Sequence, residues 1–166
     1  MASNGQLTGM RGVYLVAAEL SRVGLIASTT SRSAIGADVL ATDPACSHTV
    51  AIQVKTNAKT FGFWLLSAKA KQMTTPSYFY VFVNLKSKGV EYFVVPSRVV
   101  SEQMKSTISK KGSHWHQFDQ VHAEPYRDKW SLLDAAQAVP SSVCVPLGVP
   151  DDEPSSLEGE PANESA

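Results

Sequence analysis

The chain has 166 residues, 43% hydrophobic and 18% charged, enough for one domain with one sizeable core and too short for two. Its formal charge of zero averages two unlike regions: residues 1–150 hold 15 basic against 9 acidic residues, a formal +6, and the remaining six acids all follow Val149. Overall neutrality therefore does not exclude a polyanionic partner. The start, MASNGQLTGMRG, lacks the order of a signal peptide, and the longest apolar run, Val13 to Ala18, is far too short to span a bilayer. The expectation is a soluble cytoplasmic protein with no membrane partner. Cys46 and Cys144 offer neither metal spacing nor a disulfide framework.

Residues 1–8 read as a flexible leader. Apolar residues at Val13, Val16, Ala17 and Leu20 follow the three-and-four spacing of one helix face, predicting a helix over Met10 to Val23 that Gly24 stops. Leu25 to Ala27, Asp38 to Thr42 and Thr49 to Thr56 read as strands, the last two joined by a turn around Asp43-Pro44. In the third, Val50, Ile52 and Val54 face one way while Ala51, Gln53 and Lys55 face the other. A helix is expected around Leu66 to Gln72. Tyr78 to Asn84 and Glu91 to Val95, with Ser87-Lys88-Gly89 between them, predict an antiparallel hairpin. Helices are expected from Ser97 to about Ser109 and from Trp130 to Gln137. From Val139 the chain carries five of its nine prolines and then six acids, a composition that reads as a mostly disordered tail able to contact a protein partner.

The order helix, three strands, helix, two strands, helix predicts an α/β domain over 9–138, a mixed central β-sheet flanked by helices, with a parallel strand pair across the crossover. If the second and third strands pair antiparallel, the start of one lies beside the end of the other. Asp38, Gln53 and Lys55 then converge, bringing together a carboxylate, an amide oxygen and an ammonium. Phosphodiester cleavage uses such groups: oxygen ligands for Mg²⁺ and a lysine beside the attacking hydroxide. Arg32 with its serine neighbours, and Lys59, Lys69 and Lys71, are candidates for contacts to a nucleic-acid backbone, or else solvated surface residues. Trp64, Phe63, Tyr78, Phe79 and Tyr80 occupy predicted elements with apolar neighbours and read as core. His114, Trp115, His116 and His122 read as loop residues. GxSxG, GxxxxGK[ST], HExxH and GxGxxG are absent from the sequence.

Between Gly9 and Pro96, the Gly36-Ala37-Asp38 and Gln53-Val54-Lys55 segments and the order of elements resemble the PD-(D/E)XK nuclease superfamily, especially small bacterial members with QxK in place of (D/E)xK. The resemblance implies a restriction-endonuclease-like fold and Mg²⁺- or Mn²⁺-dependent endonuclease chemistry. It makes Asp38 a metal ligand, Gln53 the substitute for the second acid, and Lys55 the catalytic lysine. The family commonly adds a glutamate on the first helix, often in a Gly-Glu pair. The equivalent here is Gly12-Val13, and Val13 cannot bind metal. Glu19, the one acid on that helix, sits about 120° around the axis from Val13 and is the remaining metal-ligand candidate from it. Two functions follow: a nuclease acting on DNA rather than RNA, or a catalytically impaired nuclease-like fold serving as a nucleic-acid-binding or protein-interaction module. A homodimer, by which one site per chain cuts both strands, is compatible with either.

Overall fold

The computed structural model describes residues 3–31, 36–59, 61–108 and 112–137. Arg32 and the acidic tail lie outside the described residues. Ser3 begins the first helix, α1 (Asn4–Arg22): its hydroxyl accepts from the Gln6 N–H at 3.3 Å, and the Gln6 side-chain oxygen accepts from the Ser3 N–H at 3.0 Å. This capping box satisfies two donors at the helix start. The helix therefore begins at Asn4, inside the stretch expected to be a flexible leader. Gly24, at φ +91°, follows its end, a conformation that glycine adopts without steric cost.

Five strands form the main sheet in the order β1 (Ile26–Thr29), β2 (Val39–Thr42), β3 (Thr49–Asn57), β5 (Tyr78–Lys86) and β6 (Gly89–Pro96). β2 and β3 are antiparallel with Val39 opposite Ile52, β3 and β5 are parallel with Gln53 opposite Tyr80, and β5 and β6 are antiparallel. The mixed sheet, the parallel pair and the hairpin all agree with the sequence. The crossover differs: of the helix expected over Leu66 to Gln72 only Ala68–Lys71 is helical, as one 3-10 turn, and strand β4 (Phe63–Leu66) precedes it. Trp64 is buried at 3% exposure and Leu65 is 49% exposed. That alternation belongs to a strand, and a short apolar run does not declare its period.

The helix expected from Ser97 to Ser109 also divides, into α2 (Ser97–Gln103) and β7 (Lys105–Ile108). β8 (His114–Asp119) lies between β4 and β7 in a second, antiparallel sheet. His114, Trp115 and His116 are therefore strand residues, not loop residues. All four residues of β7 are exposed, so it lacks the apolar alternation by which a strand is recognised. A short α3 (Gln120–Ala123) and α4 (Ser131–Gln137) complete the order. Among the described residues no helix is long and apolar enough to cross a membrane.

The main sheet is buried on both faces. Val13, Val16 and Leu20 of α1 pack with Leu133 of α4 on Val50, Ile52, Val81 and Val83. On the opposite face Tyr78, Tyr80, Phe82 and Phe93 meet Trp64, Phe118 and Met104 beneath the second sheet and α2. The Phe82 and Phe118 rings stack with centroids 5.0 Å apart, a geometry that adds to the area they bury. Trp64, Tyr78, Phe79 and Tyr80 are core residues, in line with their neighbours in sequence.

α1 lies directly against β3 at Gly12. A Cβ there would stand 1.8 Å from the Thr56 hydroxyl oxygen and 2.9 Å from its Cβ. Gly12→Ala is expected to destabilise the fold by about 3 kcal/mol, the upper range for overpacking, well above the ~1 kcal/mol that alanine gains in helix propensity. Urea unfolding measures the loss. Adding Thr56→Ala should recover part of it, since only the Cβ contact then remains.

Candidate active site

The turn between β2 and β3 fixes their register. The Asp43 carboxylate accepts backbone N–H groups from Ala45 at 2.8 Å, Ser47 at 3.3 Å and His48 at 2.8 Å, and the Ser47 hydroxyl at 2.8 Å. The Ser47 hydroxyl first, and then those N–H groups, stabilise the ionised carboxylate and lower its pKa to about 2 despite partial desolvation. With Thr42 thereby opposite Thr49, Val39 falls opposite Ile52 at the far end.

Beyond that pair the strands part company. β3 continues to Asn57 while β2 begins only at Val39, so no described strand covers the β2-facing edge of β3 from Gln53 onward. Asp38 occupies the gap. Its N–H donates to the Ile52 carbonyl at 2.8 Å, and its Oδ2 accepts the Val54 N–H at 2.8 Å as well as the Gln53 side-chain N–H. The carboxylate thus stands in for a missing strand as acceptor. Thr30 holds the same segment from the other side, its N–H donating to the Asp38 carbonyl at 3.0 Å and its hydroxyl to the Ala37 carbonyl at 2.6 Å.

Tyr78 is the member of this cluster that the sequence reading assigned only to the core. Its hydroxyl donates to the Gly36 carbonyl and lies 3.5 Å from Gln53 Oε1. Burial is the first cause that raises its pKa, followed by the negative charges it would face at Tyr80 and Asp38, so it remains a neutral donor at physiological pH. The parallel register was the available signal: Tyr78 opposes Ala51, on the face of β3 that also carries Gln53.

Asp38, Gln53 and Lys55 line one cleft of about 250 Å³, closed on the helix side by Gly9, Met10 and Val13. The convergence expected from sequence is present, and so is Val13 at the position where the resemblance calls for an acid. Glu19 is not brought in. It lies six residues beyond Val13, about 9 Å along the helix axis, is paired with Arg22 at 2.7 Å and does not line the cleft. Lys59 follows the end of β3, and its ammonium lies 5.8 Å from the centre of the Phe61 ring. Lys69 and Lys71 sit on the 3-10 turn against α2, where the Ser101 hydroxyl donates to the Lys71 carbonyl at 2.7 Å. Neither lines the cleft.

The cleft's ligating atoms are oxygens, which suit a hard divalent cation. Both Asp38 side-chain bonds described above fall on Oδ2. Gln53 turns its nitrogen toward Asp38, so its oxygen reaches a shared cation only after the amide rotates by half a turn. Tyr78 tolerates either orientation, since a hydroxyl accepts as well as donates. Among the described residues no three His, Cys, Asp or Glu side chains cluster as a metal site.

No protein-family model matches the chain, and no curated protein matches it in sequence. Among solved structures it is similar to a bacterial homing endonuclease, I-Ssp6803I, with a TM-score of 0.52 and 18% identity over 83% of this chain and 96% of that one. A Holliday junction resolvase from Archaeoglobus fulgidus, Hjc, aligns with 70% of this chain and 88% of its own at a TM-score of 0.48 and 15% identity. The fold is restriction-endonuclease-like.

Two measurements probe this geometry. The Asp43 carboxyl resonance should titrate with a midpoint of about 2. Because its folded pKa is depressed, the stabilisation is fully present above the unfolded value and fades as pH falls through the folded one; a midpoint near 4 would mean that the turn network is absent in solution. Asp38→Ala, which deprives the Val54 N–H of its acceptor, should lower unfolding free energy by about 1–3 kcal/mol. Asp38→Asn keeps an acceptor oxygen and should lose less than half as much in the same denaturant titration.

Proposed function

We propose that the chain is a metal-dependent endonuclease hydrolysing phosphodiester bonds in DNA. The observation that carries this reading is the meeting of Asp38 and Lys55 in one cleft at the uncovered edge of β3, on a nuclease fold.

Each residue has a distinct task. Asp38, with the Gln53 oxygen after amide rotation, would hold Mg²⁺ or Mn²⁺. When bound, such a cation supplies Lewis-acid polarisation of the phosphate and a more acidic water. Lys55 is half-buried and makes no ion pair among the described residues, so its ammonium is available to the non-bridging phosphate oxygens. It stabilises the charge that develops there as water adds to phosphorus and one P–O ester bond breaks. Val13 contributes an apolar wall and no charge. With one formal anion in the set, cation affinity would be low, and a substrate phosphate would have to supply further oxygen ligands.

A second reading is favoured by two specific features, Val13 in place of an acid and the Gln53 nitrogen facing Asp38. Both suit a nuclease-like fold that binds nucleic acid or a protein partner without cutting.

Mn²⁺-dependent cleavage of labelled single- and double-stranded DNA separates the two. The nuclease reading expects chelator to stop cutting, and Asp38→Asn and Lys55→Ala each to slow it about 10²-fold or more, the scale of removing one transition-state charge contact. Wild-type rates from Asp38→Asn would falsify the assignment. Binding that weakens steeply with salt and persists in chelator, with no cleavage under any metal, would establish the second reading.

A further inference from the structure

A larger depression of about 790 Å³ adjoins the Asp38 cleft and shares Lys55 with it. Its volume falls in the range of ligand-sized pockets. One wall is the outer face of the second sheet. Trp64 and Phe118 form a pair directed into the core, so strand alternation sends Phe63, Leu65 and Trp115 outward into the groove. Trp115 is 47% exposed, and Phe61, which stacks on Phe63 with ring centroids 5.5 Å apart, is 53% exposed. The opposite wall is the start of α1 at Asn4, Gly5 and Thr8.

Its charge is one-sided. Lys55 and Lys59 line it and, among the described residues, no Asp or Glu does, while the first turn of α1 adds the positive end of a helix dipole. Exposed rings within reach of cations suit a polyanion that carries planar apolar groups. Single-stranded nucleic acid meets both requirements, since every unpaired base offers a face to an aromatic ring and every nucleotide a phosphate to an ammonium. A fully paired duplex meets only the second, because its base faces are already stacked on one another. The shared Lys55 makes groove and cleft one continuous track for a strand.

We infer that this groove takes unpaired bases next to the phosphate that Lys55 contacts, so that the preferred substrate is DNA with a single-stranded segment at the cut site. The inference rests on the DNA reading above but has a readout independent of cleavage. Trp64 and Trp130 are buried at 3% and 6% exposure, but Trp64 also borders the groove, so the part of the tryptophan-fluorescence quench by oligodeoxythymidine in chelator that Trp115→Phe removes is what reports Trp115. Wild type should quench, and Trp115→Phe should keep its affinity while losing that signal. Trp115→Ala should bind a duplex with a single-stranded overhang about tenfold more weakly, the scale of one stacked base, and a blunt duplex of equal length within about twofold. Absence of quenching, or an equal loss on both DNAs, overturns the inference. A quench that grows with protein concentration alone, together with dimers in sedimentation, overturns it in favour of a second copy of the chain in the groove. Cutting that depends on Asp38 beside a negative Trp115 result would spare the catalytic reading. Trp115-dependent binding without Asp38-dependent cutting would spare the groove.

Discussion

A strand that outruns its neighbour leaves backbone N–H groups with no ladder partner, and a partly buried one needs an acceptor. At Val54 that acceptor is the Asp38 carboxylate. The bond arises because β2 begins at Val39 while β3 continues to Asn57, so one feature of strand length creates both the opening at the sheet edge and the position of the acid inside it. The Asp43 turn at the other end sets the register on which this depends, since a slip of one residue would move Gln53 and Lys55 to the opposite face. The arrangement of the candidate site is therefore a property of the β2–β3 pair more than of any residue lining the cleft.

The remaining elements keep that edge in place without filling it. β5 is buried on both faces, with Phe79, Val81 and Val83 toward α1 and Tyr78, Tyr80 and Phe82 toward the second sheet, and it anchors β3 in parallel from the side away from the opening. α1 crosses β3 at Gly12, where a hydrogen in place of a side chain permits contact with Thr56. That approach brings Gly9, Met10 and Val13 over the cleft, while Glu19 lies beyond it near Arg22.

Much of this was legible in the sequence, wherever periodicity and register act locally. The helix face Val13–Leu20, the Gly24 stop, the alternation of Val50, Ile52 and Val54, and the aromatic hairpin each have one reading, and together they place Asp38 beside Gln53 and Lys55. Legibility failed where an element takes its identity from distant partners. Phe63–Leu66 becomes a strand because β8 pairs with it, and Lys105–Ile108, exposed throughout, carries no apolar signature at all. The start of α1 was missed for a different reason: its polar first turn reads as leader until Ser3 and Gln6 are seen to cap it. The Gln53 orientation and the Tyr78 hydroxyl belong to a third kind, set by three-dimensional hydrogen-bond partners that spacing does not encode.

The double duty of Asp38 bears on how such sites change over time. A carboxylate that completes a sheet edge has a structural reason to persist whether or not the chain hydrolyses anything. A lineage that gave up catalysis would keep the aspartate, because the Val54 N–H depends on it. Its presence is accordingly a weak marker of an active enzyme. Lys55, half-buried and holding no structural bond among the described residues, is the more telling residue.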